Sequence, residues 1–508
     1  MKLKKLLIAV LAAVMVLSLG QSVAFADEAA DDTVTVGITT APVAFDMLLY
    51  GAPTQMQLVF EGLFDLNPLT GEIEPWLAES YEWVDDCTLR VKLHDNVYFS
   101  NGAKLTAEDV IYSYKRFVDS AGIQSANYNM FDFDKCAAED ELTVLLVTKA
   151  PVGSLLMNLS KFTDIVCKDY YENLPDADLW DHTCGTGPYV VDENVSGAYT
   201  SFTLRDDYWN QEYMPEVKHF VLQYYSEPST MLIDFENGAI DMVIGLDESS
   251  ANRLDNGEYP EATLVKQTTN AVDYLILPEY VEYFQNAKVR EAIAHAIDWA
   301  AVADNAYGSL GKAATSVLPS NMTNYYKNEG TYEYDPELSR QLLAEAGYPD
   351  GFTIDTLAPN LPPAMSMYET IQYYLSEVGI TLNYTANEMS AVMPMVAMGQ
   401  VDFFVLLCNS ASSVPDPTAV LEHARADAML QACKITDPEY NEYYQDFITN
   451  TDETARKEDM NWIQDWHKEN CWLLPTAESL FAYAYGPKIK NTHITTSMMA
   501  ELRFTELN

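Results

Sequence analysis

The 508-residue chain carries 76 acidic and 29 basic side chains, a formal net charge of −47 at pH 7. Such a field works against binding DNA, RNA or anionic lipid and reads first as a solvated acidic surface, with inward steering of cationic ligands as the alternative. The length excludes a single core and implies two or three domains, and no solenoid period is present.

Lys2, Lys4 and Lys5 precede an apolar run from Leu6 to Leu19, and Ala24-Phe25-Ala26 follows. This order of basic, apolar and small residues predicts an export signal over residues 1–26, cleaved near Ala26-Asp27. The run is too short to span a bilayer with ease, and no later stretch is long and apolar enough. Removing three lysines and no acid would take the net charge from −47 to about −50. No cysteine follows the run, so the lipid-attachment residue of bacterial lipoproteins is missing, which predicts a periplasmic or extracellular, cell-surface protein. Seven cysteines (Cys87, Cys136, Cys167, Cys184, Cys408, Cys433 and Cys471) are widely spaced without a Cys-x-x-Cys pair. A zinc site is therefore not expected, export permits disulfides, and the odd count leaves at least one thiol unpaired. Their connectivity stays open.

Thr33–Ile38 reads as a first strand, and Met56–Phe64 as a helix running into Glu61-Gly62-Leu63-Phe64. Leu89, Val91 and Leu93 alternate with Arg90, Lys92 and His94, the period of a strand with one buried face. Asn101-Gly102 marks a tight turn, and Thr106 caps a helix with an acid at its third position. Leu142–Val147 and Phe162–Val166 are further strand candidates. Gly185-Thr186-Gly187-Pro188-Tyr189 lacks the Gly-Lys-Ser/Thr ending of a phosphate loop and reads as a tight turn. Gly238 stands where a helix end takes a left-handed cap. Val289–Ala301 has the apolar spacing of one amphipathic helix. Asp335-Pro336 opens another helix, which Gly347 closes, and Tyr368–Val378 is closed by Gly379 before the strand-like Ile380–Tyr384. Strands alternating with helices predict an α/β architecture.

No nucleophile elbow, zincin motif, dinucleotide fingerprint or Walker sequence occurs, and the seven histidines are scattered. With 76 acids, neighbouring carboxylates are expected by chance and nominate no glycosidase. No catalytic residue, metal or cofactor is predicted. The 33 tyrosines, among them Tyr50 and Tyr274 near turns, would suit a cleft that needs rigid amphipathic contacts.

The forty residues Leu77–Arg116, LAESYEWVDDCTLRVKLHDNVYFSNGAKLTAEDVIYSYKR, resemble the signature region of the family 5 extracellular solute-binding proteins, receptors of ABC importers. GTGPY at 185–189, DYWN at 207–210, FENGAID at 235–241, VREAIAHAID at 289–298 and YDPELSRQLLAEAGYPDGF at 334–352 resemble phrases of the same family in the same order. The resemblance runs from about Thr33 to about Leu502. It implies an α/β, two-lobed fold of the type II periplasmic-binding-protein kind, in its large three-domain variant, with a hinge and an interlobe cleft. Residues 33–60, 183–272 and 483–508 would form the first lobe, 61–182 its additional domain, and 273–482 the second lobe. Crossovers near Asp273-Tyr274 and Tyr483 would be the hinge. The implied partners are a small peptide or peptide-sized solute and the permease subunits, with the receptor a monomer.

Peptide-binding members pair the ligand's α-ammonium with the first Asp of an Asp-x-x-Asp-Pro segment. Here Asp416-Pro417 is present, but Ser413 stands where that first Asp would be, unless an insertion brings Asn409 there. The candidate ligand-binding residues are Asp416, Ser413, Asn409, Ser410, Ser412, Cys408, Tyr274 and Tyr50. Losing the carboxylate would remove a charge-assisted hydrogen bond of about 1.5–3 kcal/mol, which argues against selection for free-amine peptides. A metal chelate, a glutathione-like compound or an oligosaccharide is the alternative ligand. A sensor and, from another class, a secreted hydrolase are the alternative roles.

Overall fold

The computed structural model describes residues 32–39, 53–67, 72–119, 128–160, 165–174, 182–406, 416–421, 424, 433–494 and 501–508. The export segment, Tyr50 and residues 408–413 lie outside them.

A ten-stranded sheet organises the chain. Its long member, Leu473–Tyr485, is antiparallel to Asp273–Ile276 and Gly311–Ala313 through residues 473–479, and to Thr263–Thr268 through 480–485. Met242–Ile244 also pairs with its end, and beyond it come Thr33–Ile38, His219–Tyr224, Tyr199–Leu204 and Tyr189–Val195. One strand thus belongs to two sheet regions. Two large apolar cores lie on either side. The larger gathers residues from Ala271 to Ala477, and the second runs from Val34 to Ile244 and resumes from Tyr483 to Leu502. This is the two-lobed α/β fold of type II periplasmic binding proteins.

The signature stretch is a scaffold. Thr88–Leu93 buries Leu89, Val91 and Leu93 in a four-stranded sheet, and Gly102 takes φ +83° in the following turn. In the helix Ala107–Asp119, Asp109 closes the box by accepting from the Thr106 backbone N–H at 2.9 Å and its hydroxyl at 2.6 Å. The other Asp109 oxygen accepts from the Lys168 N–H at 2.8 Å, so the cap also holds a neighbouring segment.

Four sequence expectations are corrected. The helix near Met56 is Pro53–Val59 and stops short of Phe64, which starts a strand, Phe64–Leu66. Gly185 and Gly187 explain the stop: a Cβ on either would lie 2.0 to 2.6 Å from Val59 backbone atoms, and Gly187 N–H donates to Val59 O at 2.9 Å. The expected single helix 289–301 is two, Ala287–Ala296 and Trp299–Tyr307. Ile297 is extended there, and Asp298 caps the second helix by accepting from the Ala300 and Ala301 N–H groups. The helix closed by Gly379 begins earlier, at Pro362, where proline's fixed φ suits the first turn. Of the strand candidate at 162–166, residues 162–164 lie outside the described residues, and Ile165 and Val166 are in no strand. Asp335 and Gly347 cap their helix as expected, with Gly347 at φ +95°.

Candidate functional site

The chain crosses between the cores at two adjacent places. Residues 269–272 join the strands Thr263–Thr268 and Asp273–Ile276, and the long strand exchanges partners between Ser479 and Leu480. Thr269 Oγ1 donates to Ser479 O at 3.4 Å, and Thr476 Oγ1 to Asp273 O at 2.8 Å, which ties the two crossings together.

Polar side chains that are elsewhere exposed are buried here. Glu478 is 1% exposed and its Oε2 accepts from Ser320 N–H (3.1 Å) and Ser320 Oγ (2.7 Å), with Lys312 Nζ at 3.2 Å. Tyr307 donates its hydroxyl to Asp273 Oδ2 at 2.6 Å. Asn321 Nδ2 donates to Asn270 Oδ1 at 2.5 Å, while Asn321 Oδ1 is buried with no hydrogen-bond partner among the described residues. A buried acceptor in that state is one that water or a solute donor satisfies. Across the crossing, Gly308 (φ +52°) packs on the Glu248 carboxylate, and Ser309 Oγ donates to Asn252 Oδ1 at 2.5 Å.

A second contact between the cores lies far from the crossing. Gly153 N–H donates to Ile448 O at 2.9 Å. A Cβ on Gly153 would be 2.2 Å from Asn450 O and 3.0 Å from Arg456 Nε. Arg456, 1% exposed, donates from Nη2 to Asp416 Oδ2 at 2.9 Å, and its guanidinium lies 4.5 Å from the Phe447 ring centre. The other Asp416 oxygen accepts from Thr418 N–H at 2.9 Å, capping Pro417–Leu421.

These placements decide how the described candidates are used. Asp416 is 4% exposed and both carboxylate oxygens are engaged inside the protein. Tyr274 is 0% exposed, with its hydroxyl donating to Val317 O at 2.5 Å, so it packs within the larger core and presents no face to a cleft. Cys408, Asn409, Ser410, Ser412, Ser413 and Tyr50 lie outside the described residues. Sequence reasoning missed Asn321, Glu478, Arg456 and Gly153, whose partners are 40 or more residues away.

Among the described residues no group of three or more His, Cys, Asp and Glu side chains could hold a metal ion. His467 is 0% exposed, with Nε2 3.0 Å from the Tyr440 hydroxyl, and burial pushes its pKa down to about 3. It is a neutral packing group at physiological pH.

Two lobes joined by a pair of neighbouring strand crossings define a hinged binding protein. The chain belongs to the bacterial extracellular solute-binding proteins, family 5, whose model matches residues 72–431. It is a solute-binding protein, and no helix among its described residues is long and apolar enough to cross a membrane. It is similar to heme-binding protein A of Haemophilus influenzae, 24% identical over 77% of each chain. It is also similar to the dipeptide-binding protein of Escherichia coli K12, 24% identical over 70% of this chain and 71% of that one. Among solved structures, HbpA2 from Haemophilus parasuis superposes with a TM-score of 0.84, 21% identity and coverage of 94% of this chain and 100% of that one.

Proposed function

We propose that this protein captures a peptide or peptide-sized polar solute between its lobes, closes on it, and delivers it as a monomer to the permease of an ABC importer. No catalysis is involved. The observation that carries the reading is the strand Leu473–Tyr485, shared by both sheet regions and flanked by the second crossing at 269–272. Two neighbouring antiparallel crossings make a hinge that bends by small backbone changes and leaves each core intact. The proposed first lobe comprises 33–60, 183–272 and 483–508, with 61–182 as its additional domain. The second lobe then spans 273–482. Removal of residues 1–26 on export completes the receptor.

The named relatives bind heme or a dipeptide, both of a size that a cleft between lobes encloses. Asp416 does not anchor a ligand ammonium in this reading, because Arg456 already occupies it. The hydroxyl- and amide-rich segment Asn409, Ser410, Ser412 and Ser413 serves as a wall for neutral polar groups.

Calorimetry with matched peptides, free and acetylated at the amino end, tests this. The expected result is binding of both within a few-fold. A preference for the free amine of about tenfold to a hundredfold, the value of a charge-assisted hydrogen bond, would overturn it. Binding of neither while hemin binds would move the ligand to the non-peptide class.

A further inference from the structure

Cys167 and Cys184 meet against the Asn101-Gly102 turn. Cys167 is the N-cap of the short helix Lys168–Tyr171, and Cys184 immediately precedes the Gly185–Tyr189 turn. Ser100 N–H donates to Gly185 O at 2.9 Å, which seats the second cysteine beside the turn. The Asn101 side-chain amide lies 3.6 Å from Cys167 Sγ, and the Asn101 backbone N–H reaches the Cys184 sulfur. Both are free thiols in this structure, and each lies close enough to the other to influence its ionisation. The two residues are 2% and 1% exposed, so neither sulfur faces solvent.

The other buried sulfurs are placed differently. Cys433 lies against the Leu277 and Trp472 carbonyls, and Cys471 against the Tyr332 hydroxyl and Lys468 O. Cys136, only half-buried, takes the Val147 N–H at 3.3 Å. Cysteines whose Cα atoms are far apart or whose Cβ directions diverge cannot be bridged without moving the backbone.

We propose that Cys167 and Cys184 form a disulfide in the extracytoplasmic compartment this family occupies, stapling the helix at 168–171 to the chain's return at Gly185. The oxidant is a protein or low-molecular-weight disulfide. The Cys167 thiolate, favoured by the Cys184 thiol that donates to it, attacks one sulfur of the oxidant and expels the other as a thiolate. Cys184 then loses its proton and attacks the Cys167 sulfur of the mixed disulfide, expelling the second thiolate. Two thiols give up two protons and two electrons, and one disulfide becomes two thiols. Because both sulfurs are buried in the native fold, exchange occurs before the two segments dock or during local opening. The finished bond is shielded from reductants.

The full chain, refolded with oxidised glutathione and alkylated under denaturing conditions, is digested with and without reductant. The expected result is a peptide pair joining Cys167 to Cys184, two hydrogens lighter than its separate halves, and a Tm that falls by a few degrees on reduction. Cys167→Ser and Cys184→Ser should each show that lower Tm in either redox state. Alkylation of both cysteines in the oxidised wild-type protein would overturn the proposal. So would a link from either one to a different cysteine. The peptide map of the wild-type chain decides the matter even where a variant folds poorly.

Discussion

Arg456 donates from Nη2 to Asp416 Oδ2 at 2.9 Å, with the two side chains 2% and 6% exposed. The acid that sequence order offers as a ligand anchor is therefore the internal counter-ion of a buried guanidinium. Removing one partner of such a pair costs far more than the pair contributes.

Asp416→Asn leaves the buried Arg456 only the exposed Glu453, 3.5 Å from Nη1, and should lower stability by up to about 3–5 kcal/mol, read from urea unfolding. Asp416→Leu with Arg456→Met should recover most of that loss, since apolar residues of similar volume replace buried pairs well. If Asp416 instead held the ligand, Asp416→Asn would abolish binding and leave the urea midpoint in place.

Gly153→Val should weaken ligand binding without touching ligand. If the Gly153–Ile448 contact is one the lobes make on closing, the added carbons, which meet Asn450 O and Arg456, disfavour the closed arrangement. Apparent affinity falls in proportion to the closed fraction, and a tenfold loss of closed population gives a Kd raised about tenfold. Small-angle scattering of the unliganded variant should show a larger radius of gyration, with unchanged far-UV circular dichroism.

Arg503→Met should destabilise by about 3–5 kcal/mol, because it leaves three acids buried without their cation. Arg503 is paired with Asp65 and Glu501 at 2.5 and 3.3 Å, and its guanidinium lies 4.8 Å from the Trp76 ring centre. Its Nη1 is also 4.0 Å from Glu61, which accepts from Trp76, Tyr208 and Trp209. Truncation before Arg503 should cost at least as much in a urea titration, since it also removes the Glu506–Leu507 strand.

His467 makes stability fall with acid. Its pKa drops from 6.5 to about 3 on folding, so below 6.5 the unfolded chain binds a proton that the folded one refuses. Its contribution is complete above pH 6.5 and declines by about 1.4 kcal/mol per unit as pH falls toward 3. Glu329 opposes it: burial raises its carboxyl to about 7, so its contribution is present below 4.5 and is lost as pH rises through 7. His467→Gln should flatten the acid limb of the stability–pH curve, and Glu329→Gln should raise stability at pH 8 while matching the wild-type chain near pH 4.

Local chemistry was legible in the sequence wherever a residue's role is set by its neighbours. The strand at 88–93, the Asn101-Gly102 turn and the Asp335 and Gly347 caps all follow from periodicity, positive φ or capping. The break at Ile297 was masked by an apolar spacing that continues through it, although Asp298 in mid-pattern is the signal of an N-cap. Long-range pairing left no local trace. Nothing near Asp416 announces Arg456, forty positions on, and nothing near Glu61 announces Tyr208, Trp209 and Arg503. Tyr274 looked like a cleft residue because turns flank it, but its strand lies inside the larger core.

Native mass spectrometry of the protein from its own expression host, before and after mild denaturation, tests the central claim most directly. The account predicts a non-covalent, peptide-sized solute, released intact and not enriched in species with free amino ends. Release of free-amine peptides that rebind, while the same peptides do not rebind once acetylated, would contradict the claim that the cleft has no ammonium anchor.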